Sequence, residues 1–181
     1  MATALFIKSV DLKRNSIING SVDPDKLMPH IEISQEIHIQ HRIGTDLYNR
    51  LQAGVIAGDL TADEIILIDS YIQKALIFHA YAQYLPFARF TISNSGVSIH
   101  SSENSSPVDS SDINTLVSHV KSQAEYYTKR LIDYLCEYSS LYPLYDTNSN
   151  NDIRPSRRLN YSKGFRSTGE EYKSDDWRID E

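Results

Sequence analysis

Between Ile113 and Tyr138, eight side chains recur at alternating spacings of four and three: Ile113, Val117, Val120, Ala124, Tyr127, Leu131, Tyr134 and Tyr138. A heptad stripe sustained over more than three repeats predicts one long helix, from about Asp112 to Ser139, packed at a shallow crossing angle. The opposite face is polar, with Glu125 and Lys129 placed for an i,i+4 pair. Three tyrosines in one stripe suit a dimeric zipper poorly, because each hydroxyl needs a partner or solvent. The expected partner is therefore a second helix of the same chain, with a helix of another copy as the alternative. Thr61, with Glu64 three residues later, forms a capping box that opens such a helix, running to about Leu85. Its apolar arc is wide (Ile65, Ile68, Tyr71, Ile72, Ala75, Leu76, His79 and Ala82), as expected of a central helix, and Pro86 ends it.

The N-terminal third completes a bundle. Leu5–Ile7 reads as a short extended piece, Val10–Arg14 as a turn of helix, and Asn19-Gly20 as a loop. Asp23-Pro24 is a cap followed by proline at the first helical position. Ile31, Ile33, Ile37 and Ile39 then alternate with polar residues, which is a strand pattern. A strand from Lys26 to Ile43 would be about three times the usual length, however, and Gly44 is a helix stop, so the segment reads as a helix. On a helix these isoleucines fall on more than one face, and two buried faces are expected. Thr45 is placed to cap a further helix to about Gln52, loosened by Gly54 and Gly58. Phe90-Thr91-Ile92, the turn around Asn94 and Gly96, and Val97-Ser98-Ile99 read as a small β-hairpin, with a Ser-rich loop after it. The expected fold is mainly α: a helical bundle of about four helices with one small β-hairpin and an extended C-terminal arm.

That arm is residues 146–181, which lack periodicity and nearly all aliphatic residues. Its charges are sorted. Arg154, Arg157, Arg158, Lys163 and Arg166 form a block without an acid, and Glu170, Glu171, Asp175, Asp176, Asp180 and Glu181 follow, opposed only by Lys173 and Arg178. Tyr161, Phe165, Tyr172 and Trp177 are scattered through both blocks, giving the Arg-plus-aromatic character of binding anchors. Such a segment buries too little apolar surface to offset its own ordering entropy. It is expected to dock on something else, with the basic block and its aromatics as partner-binding residues. The block can reach nucleic acid through phosphates and bases, an acidic protein groove, or the acidic block of a neighbouring copy.

Composition narrows the function classes. Residues 1–145 carry 11 Lys and Arg against 16 Asp and Glu, a net charge of −5, which disfavours generic DNA coating. A single cysteine, Cys136, excludes an intramolecular disulfide framework and a cysteine-based zinc site. Neither a signal peptide nor a membrane-spanning run is read, so a reducing, cytoplasm-like origin is expected. His38 and His41 would share a helix face near His30 and Glu36, but two ligands do not make a metal site. His79 reads as a core histidine. No phosphate-binding loop, nucleophile elbow or dinucleotide fingerprint occurs, and Asp63, Glu64 and Asp69 are explained by capping and a solvated face. No catalytic residue, metal or cofactor is expected.

Several short stretches carry a resemblance: Leu5-Phe6-Ile7, Asn19-Gly20-Ser21-Val22-Asp23, Ile37-His38-Ile39-Gln40, Ile43-Gly44-Thr45-Asp46-Leu47-Tyr48, Asn94-Ser95-Gly96-Val97 and the Tyr126-Tyr127 to Tyr142-Pro143-Leu144-Tyr145 run. Over about residues 5–145 the chain resembles the head–tail connector (adaptor) proteins of tailed bacteriophages, and most nearly those of crAss-like phages of gut Bacteroidetes. The resemblance implies a non-enzymatic structural virion protein, a homo-oligomeric ring protein, commonly a dodecamer, seated beneath the portal at the head–tail junction and made in the host cytoplasm. It would extend the channel through which DNA passes without sequence-specific binding, and present a platform to the next tail or ring protein. Residues 1–145 would be the adaptor domain. Residues 146–181, outside the resemblance, would suit the C-terminal arm that clasps the portal or an adjacent subunit in several adaptor families. The hairpin residues Phe90, Asn94, Gly96 and Ile99 are a candidate contact loop. The alternative is a nucleic-acid-binding accessory protein using the basic block.

Overall fold

A computed structural model describes residues 4–18, 20–88, 90–93, 96–99, 109–146 and 152–157. The chain is mainly helical. Helix α1 (Ser9–Arg14) follows an N-terminal stretch whose Phe6 and Ile7 are buried. Helix α2 (Pro24–Ser34) begins at Asp23, whose side chain accepts from the Asp25 N–H. It runs on through a π-helical turn (Gln35–Gln40) into a last α-turn, α3 (His41–Ile43). The helix expected between Pro24 and Gly44 is thus present, with a wider turn inside it that local pattern does not signal.

That π-turn has a physical effect. Its i→i+5 bonding advances the residues beyond it relative to a regular helix, and Gln35 lies fully buried. Its amide replaces a neighbouring strand. Oε1 accepts from the Phe6 N–H at 2.8 Å, while Nε2 donates to the Ala4 carbonyl and to the Tyr48 hydroxyl, both at 2.9 Å. A buried amide costs stability unless its groups are paired, and this one clamps the N-terminal stretch to α2 and to the following helix.

Two buried faces were expected for the isoleucines of this helix. Within one chain only one face is covered: Ile31, Ile39 and Ile43 are wholly buried, whereas Ile33 and Ile37 remain 40% and 56% exposed.

Helix α4 (Thr45–Ala57) is longer than expected. Gly54 is inside it, and a Cβ there would fall 2.5 Å from Leu60 Cδ2, so the glycine lets Leu60 pack across the helix. Gly58, with φ +72°, closes the helix in the left-handed conformation. Nor does Thr45 cap α4. Gly44 occupies the cap position, and the Thr45 side chain is committed elsewhere, to a segment over a hundred residues away in the chain.

Helix α5 (Ala62–Leu67) opens on the expected capping box: Glu64 N–H to Thr61 Oγ1 at 3.2 Å, and Thr61 N–H to Glu64 Oε2 at 2.8 Å. Glu64 also pairs with Arg50 at 3.0 Å, tying α4 to α5. A second π-turn (Ile68–Ile72) leads into α6 (Gln73–Tyr84). Helix α6 buries Ala75, Leu76, Ile77, Ala80, Tyr81 and Ala82, residues pointing all round its axis, because α2 packs on one side and α7 on the other. Beyond it, β1 (Phe90–Ser93) pairs antiparallel with β2 (Gly96–Ile99), Phe90 opposite Ile99.

Helix α7 (Ser110–Glu137) starts at Asp109, whose carboxylate accepts from the Ser110 N–H. It packs along α6, as the heptad stripe predicts. Val120, Ala124 and Leu131 of the stripe are buried, and Thr128, Ile132 and Leu135 join them. Tyr138, the last member of the stripe, stays 47% exposed. On the polar face Lys129 pairs with Asp133. The chain closes through a 3-10 turn (Ser139–Leu141) and α8 (Pro143–Asp146), which buries Tyr142 just before it and Tyr145 within it.

Residues 152–157 return to the body. The Thr45 N–H donates to the Ile153 carbonyl at 3.0 Å, and the Thr45 hydroxyl donates to Asp152 Oδ2 at 2.8 Å while accepting from the Ile153 N–H at 3.2 Å. The Ser156 N–H donates to the His41 carbonyl at 3.1 Å. Pro155 fills the space beside Gly44, where a Cβ would fall 2.7 Å from its ring. The first turn of α4 has no intrahelical partner for its N–H groups, and this segment supplies one. This part of the expected arm is therefore bound to the body of its own chain, at the Gly44 corner.

Candidate functional site

The Gln35–Gln40 π-turn, α3, α6 and α7 enclose a cavity of about 710 Å³. Ile37 and His38 line it from the π-turn, His41 and Arg42 from α3, His79, Ala82 and Gln83 from α6, and Val117, Lys121, Ser122, Glu125, Thr128 and Lys129 from α7. Phe87, 55% exposed, and Tyr126, 60% exposed, complete an apolar wall with Ile37.

At its base the His38 and His79 rings stack, with centroids 3.9 Å apart and planes 8° from parallel. The Thr128 hydroxyl gives its one proton to the Ala124 carbonyl at 2.8 Å. It therefore accepts from His79 Nε2 at 2.9 Å, which fixes the neutral Nε2–H tautomer of His79. Burial, then His38 and Arg42, lower the His79 pKa to about 3. Burial, then Arg42, Lys121 and His41, lower that of His38 to about 4. Both rings are neutral at pH 7, in a site whose surroundings are positive.

Lys121 and Lys129 stand exposed on α7, the second paired with Asp133, and with Arg42 they set three permanent cations along the lining, with the carboxylate of Glu125 among them. A cleft with an apolar wall, stacked neutral imidazoles and cationic edges accepts an aromatic or apolar group that carries negative charge beside it. No group of three or more His, Cys, Asp or Glu side chains that could hold a metal occurs among the described residues. His30 packs away from His38, edge-on to Tyr84 at 5.5 Å and tilted against Phe87 at 5.3 Å.

The residues singled out from sequence fall elsewhere. Arg154 is exposed on the docked segment, whereas Arg157 is ion-paired with Asp146 and lies 5.1 Å over the Tyr145 ring. Burial, ahead of the other influences, pushes the Tyr145 hydroxyl up to about 12. Arg158, Tyr161, Lys163, Phe165, Arg166, Tyr172 and Trp177 lie outside the described residues, as does Asn94. Phe90 is 45% exposed at the start of β1, and Gly96 and Ile99 belong to the β2 ladder. The sequence points to His79 as a core residue, and gives no sign that His38 is its neighbour. The signal it lacked was their pairing, which depends on the π-turn.

The chain belongs to a family of unknown function, DUF6712, whose model matches residues 39–155. The match takes in α4 to α8 and ends at Pro155, the residue seated on Gly44. No curated protein and no solved structure matches the chain. Among the described residues no helix is long and apolar enough to cross a membrane.

Proposed function

We propose that this is a structural virion protein, a head–tail connector (portal adaptor) whose copies form a ring beneath the portal and extend the DNA channel. The observation that carries the reading is the set of large aliphatic side chains the helices leave uncovered. Ile33 in α2, Ile37 in the π-turn that follows it, Val55 and Ile56 at the end of α4, and Ile65 and Ile66 in α5 are all at least 38% exposed. Helical subunits that leave whole apolar faces open are suited to burying them against copies of themselves, and unlike faces brought together by rotation close a ring. The resemblance to phage connectors gives that ring its place. Residues beyond the docked segment, with Arg158, Tyr161, Phe165 and Arg166, would contact the portal or the adjacent subunit, and the β1–β2 strands would serve as a contact loop for the next tail component.

Electron-microscope averages of the purified protein test this directly. Closed rings that disperse in an Ile37→Glu, Ile65→Glu double variant of unchanged helicity are the expected result. A particle that stays monomeric at all concentrations, and on particles carrying the portal, overturns the reading. Binding to duplex DNA that weakens steeply with salt, without rings, would favour the accessory-protein alternative instead.

A further inference from the structure

The described chain stops next to the cavity. Ser156 is held by His41 and lies within 3.4 Å of the Arg42 guanidinium, and both of those residues line the cleft. The sequence continues for 24 residues past Arg157, to Glu181. Its last twelve, 170–181, carry six carboxylates against Lys173 and Arg178, and include Tyr172 and Trp177. The cleft offers the complement: an apolar wall of Ile37, Phe87 and Tyr126, with Lys121 and Lys129 beside it.

We propose that the acidic, aromatic segment Glu170–Glu181 of this same chain docks in the cleft between the π-turn, α6 and α7, an aromatic ring entering the cavity and carboxylates facing Lys121 and Lys129. Twelve residues, hence thirteen steps along the chain, separate Arg157 from Glu170, a tether of up to about 43 Å at roughly 3.3 Å per step. That matches the roughly 42 Å length of a helix like α7, so every part of the cleft is within reach. A short tether holds the segment at an effective concentration in the millimolar range, which favours the chain's own cleft over another copy's. Aromatic anchors supply the affinity and charge complementarity sets the orientation. The subunit would then store its terminus until assembly displaces it. This goes beyond the connector reading and does not require it.

Trp177 is the only tryptophan in the chain, so its emission reports the docking without a label. The full-length protein should show blue-shifted emission with several-fold reduced iodide quenching, unchanged on dilution. A Lys121→Glu, Lys129→Glu variant of unchanged circular dichroism should move the emission to the solvent-exposed position, and should restore quenching. Should that variant fail to fold, raising the salt of the wild-type protein to about 1 M, where charges are screened beyond about 3 Å, should shift the emission the same way. Solvent-exposed emission in the wild-type protein overturns the proposal. So does a blue shift that vanishes on dilution, which would place the segment on another copy, or one indifferent to both the charge reversals and salt, which would place it elsewhere. None of these outcomes depends on whether rings form.

Discussion

The seam between α6 and α7 has two differently built ends. At one end Tyr71 stacks on Tyr134 at 4.0 Å, Tyr134 meets the Tyr142 hydroxyl at 3.2 Å, and Tyr142 donates to the Asp63 carbonyl at 2.8 Å. At the other, His38 stacks on His79, which donates to Thr128. Both joints use flat rings with a polar edge satisfied by a neighbour. They differ in what protons can do to them. Burial raises the Tyr142 pKa, already far above neutrality, so the tyrosine joint is indifferent to acid. The histidine joint is neutral only because burial and adjacent cations depress both rings, and it opens on the cavity. One end of the seam fastens the bundle; the other can be loosened.

Breaking the tyrosine end should have the largest effect. Tyr142→Ala removes an almost fully buried ring and leaves the Asp63 carbonyl and Tyr134 hydroxyl without it. A loss of about 3–5 kcal/mol is expected by chemical denaturation, equal at pH 5 and pH 7.

Acid should instead select the histidine end. Both folded-state pKa values lie below the ordinary 6.5, so the unfolded chain binds more protons as pH falls. The stability is fully present above about pH 6.5 and is lost progressively down towards about pH 4 for His38 and about pH 3 for His79. At pH 5 the loss should be about 2 kcal/mol for each ring. His79→Phe, which keeps a flat ring and removes the proton site, should cut the drop between pH 7 and pH 5 by about half. An equal drop in that variant would mean that the histidines are not its source.

A smaller effect is expected at the corner that holds Arg42 near the histidines. Gly44→Ala puts a Cβ into the Pro155 ring at a residue whose φ is +81°. It should cost about 1–2 kcal/mol from the backbone conformation alone, and proteolysis at residues 147–157 should accelerate as the segment comes away. The smallest change is Lys121→Ala. It removes one of the cations that hold His38 down, and should raise the His38 pKa measured by NMR while leaving neutral-pH stability within about 0.5 kcal/mol.

Much of this was legible in the sequence. The heptad stripe placed α7 on α6, and the Thr61–Glu64 box marked the start of α5, because both signals are local and repeat at the helical period. The histidine pair was not, because a π-turn leaves no compositional mark and changes which side chains face inward beyond it. Thr45 misled for a related reason. A threonine after a glycine resembles a cap, but its hydroxyl is bonded to Asp152 and Ile153, and no local pattern reports a partner so distant. The isoleucines between Pro24 and Gly44 were read as burying two faces, whereas Ile33 and Ile37 stay exposed within one chain.

The union of Thr45 with Ile153 also sets an order of events on the ribosome. The opening turn of α4 emerges early, yet the residues that complete it are translated 108 positions later, a delay of about 5–20 s at ordinary elongation rates. During that interval the nascent bundle carries an unfinished helix start that chaperones or a premature neighbour could meet first. Final closure of the Gly44 corner must wait until residues 152–157 have been made.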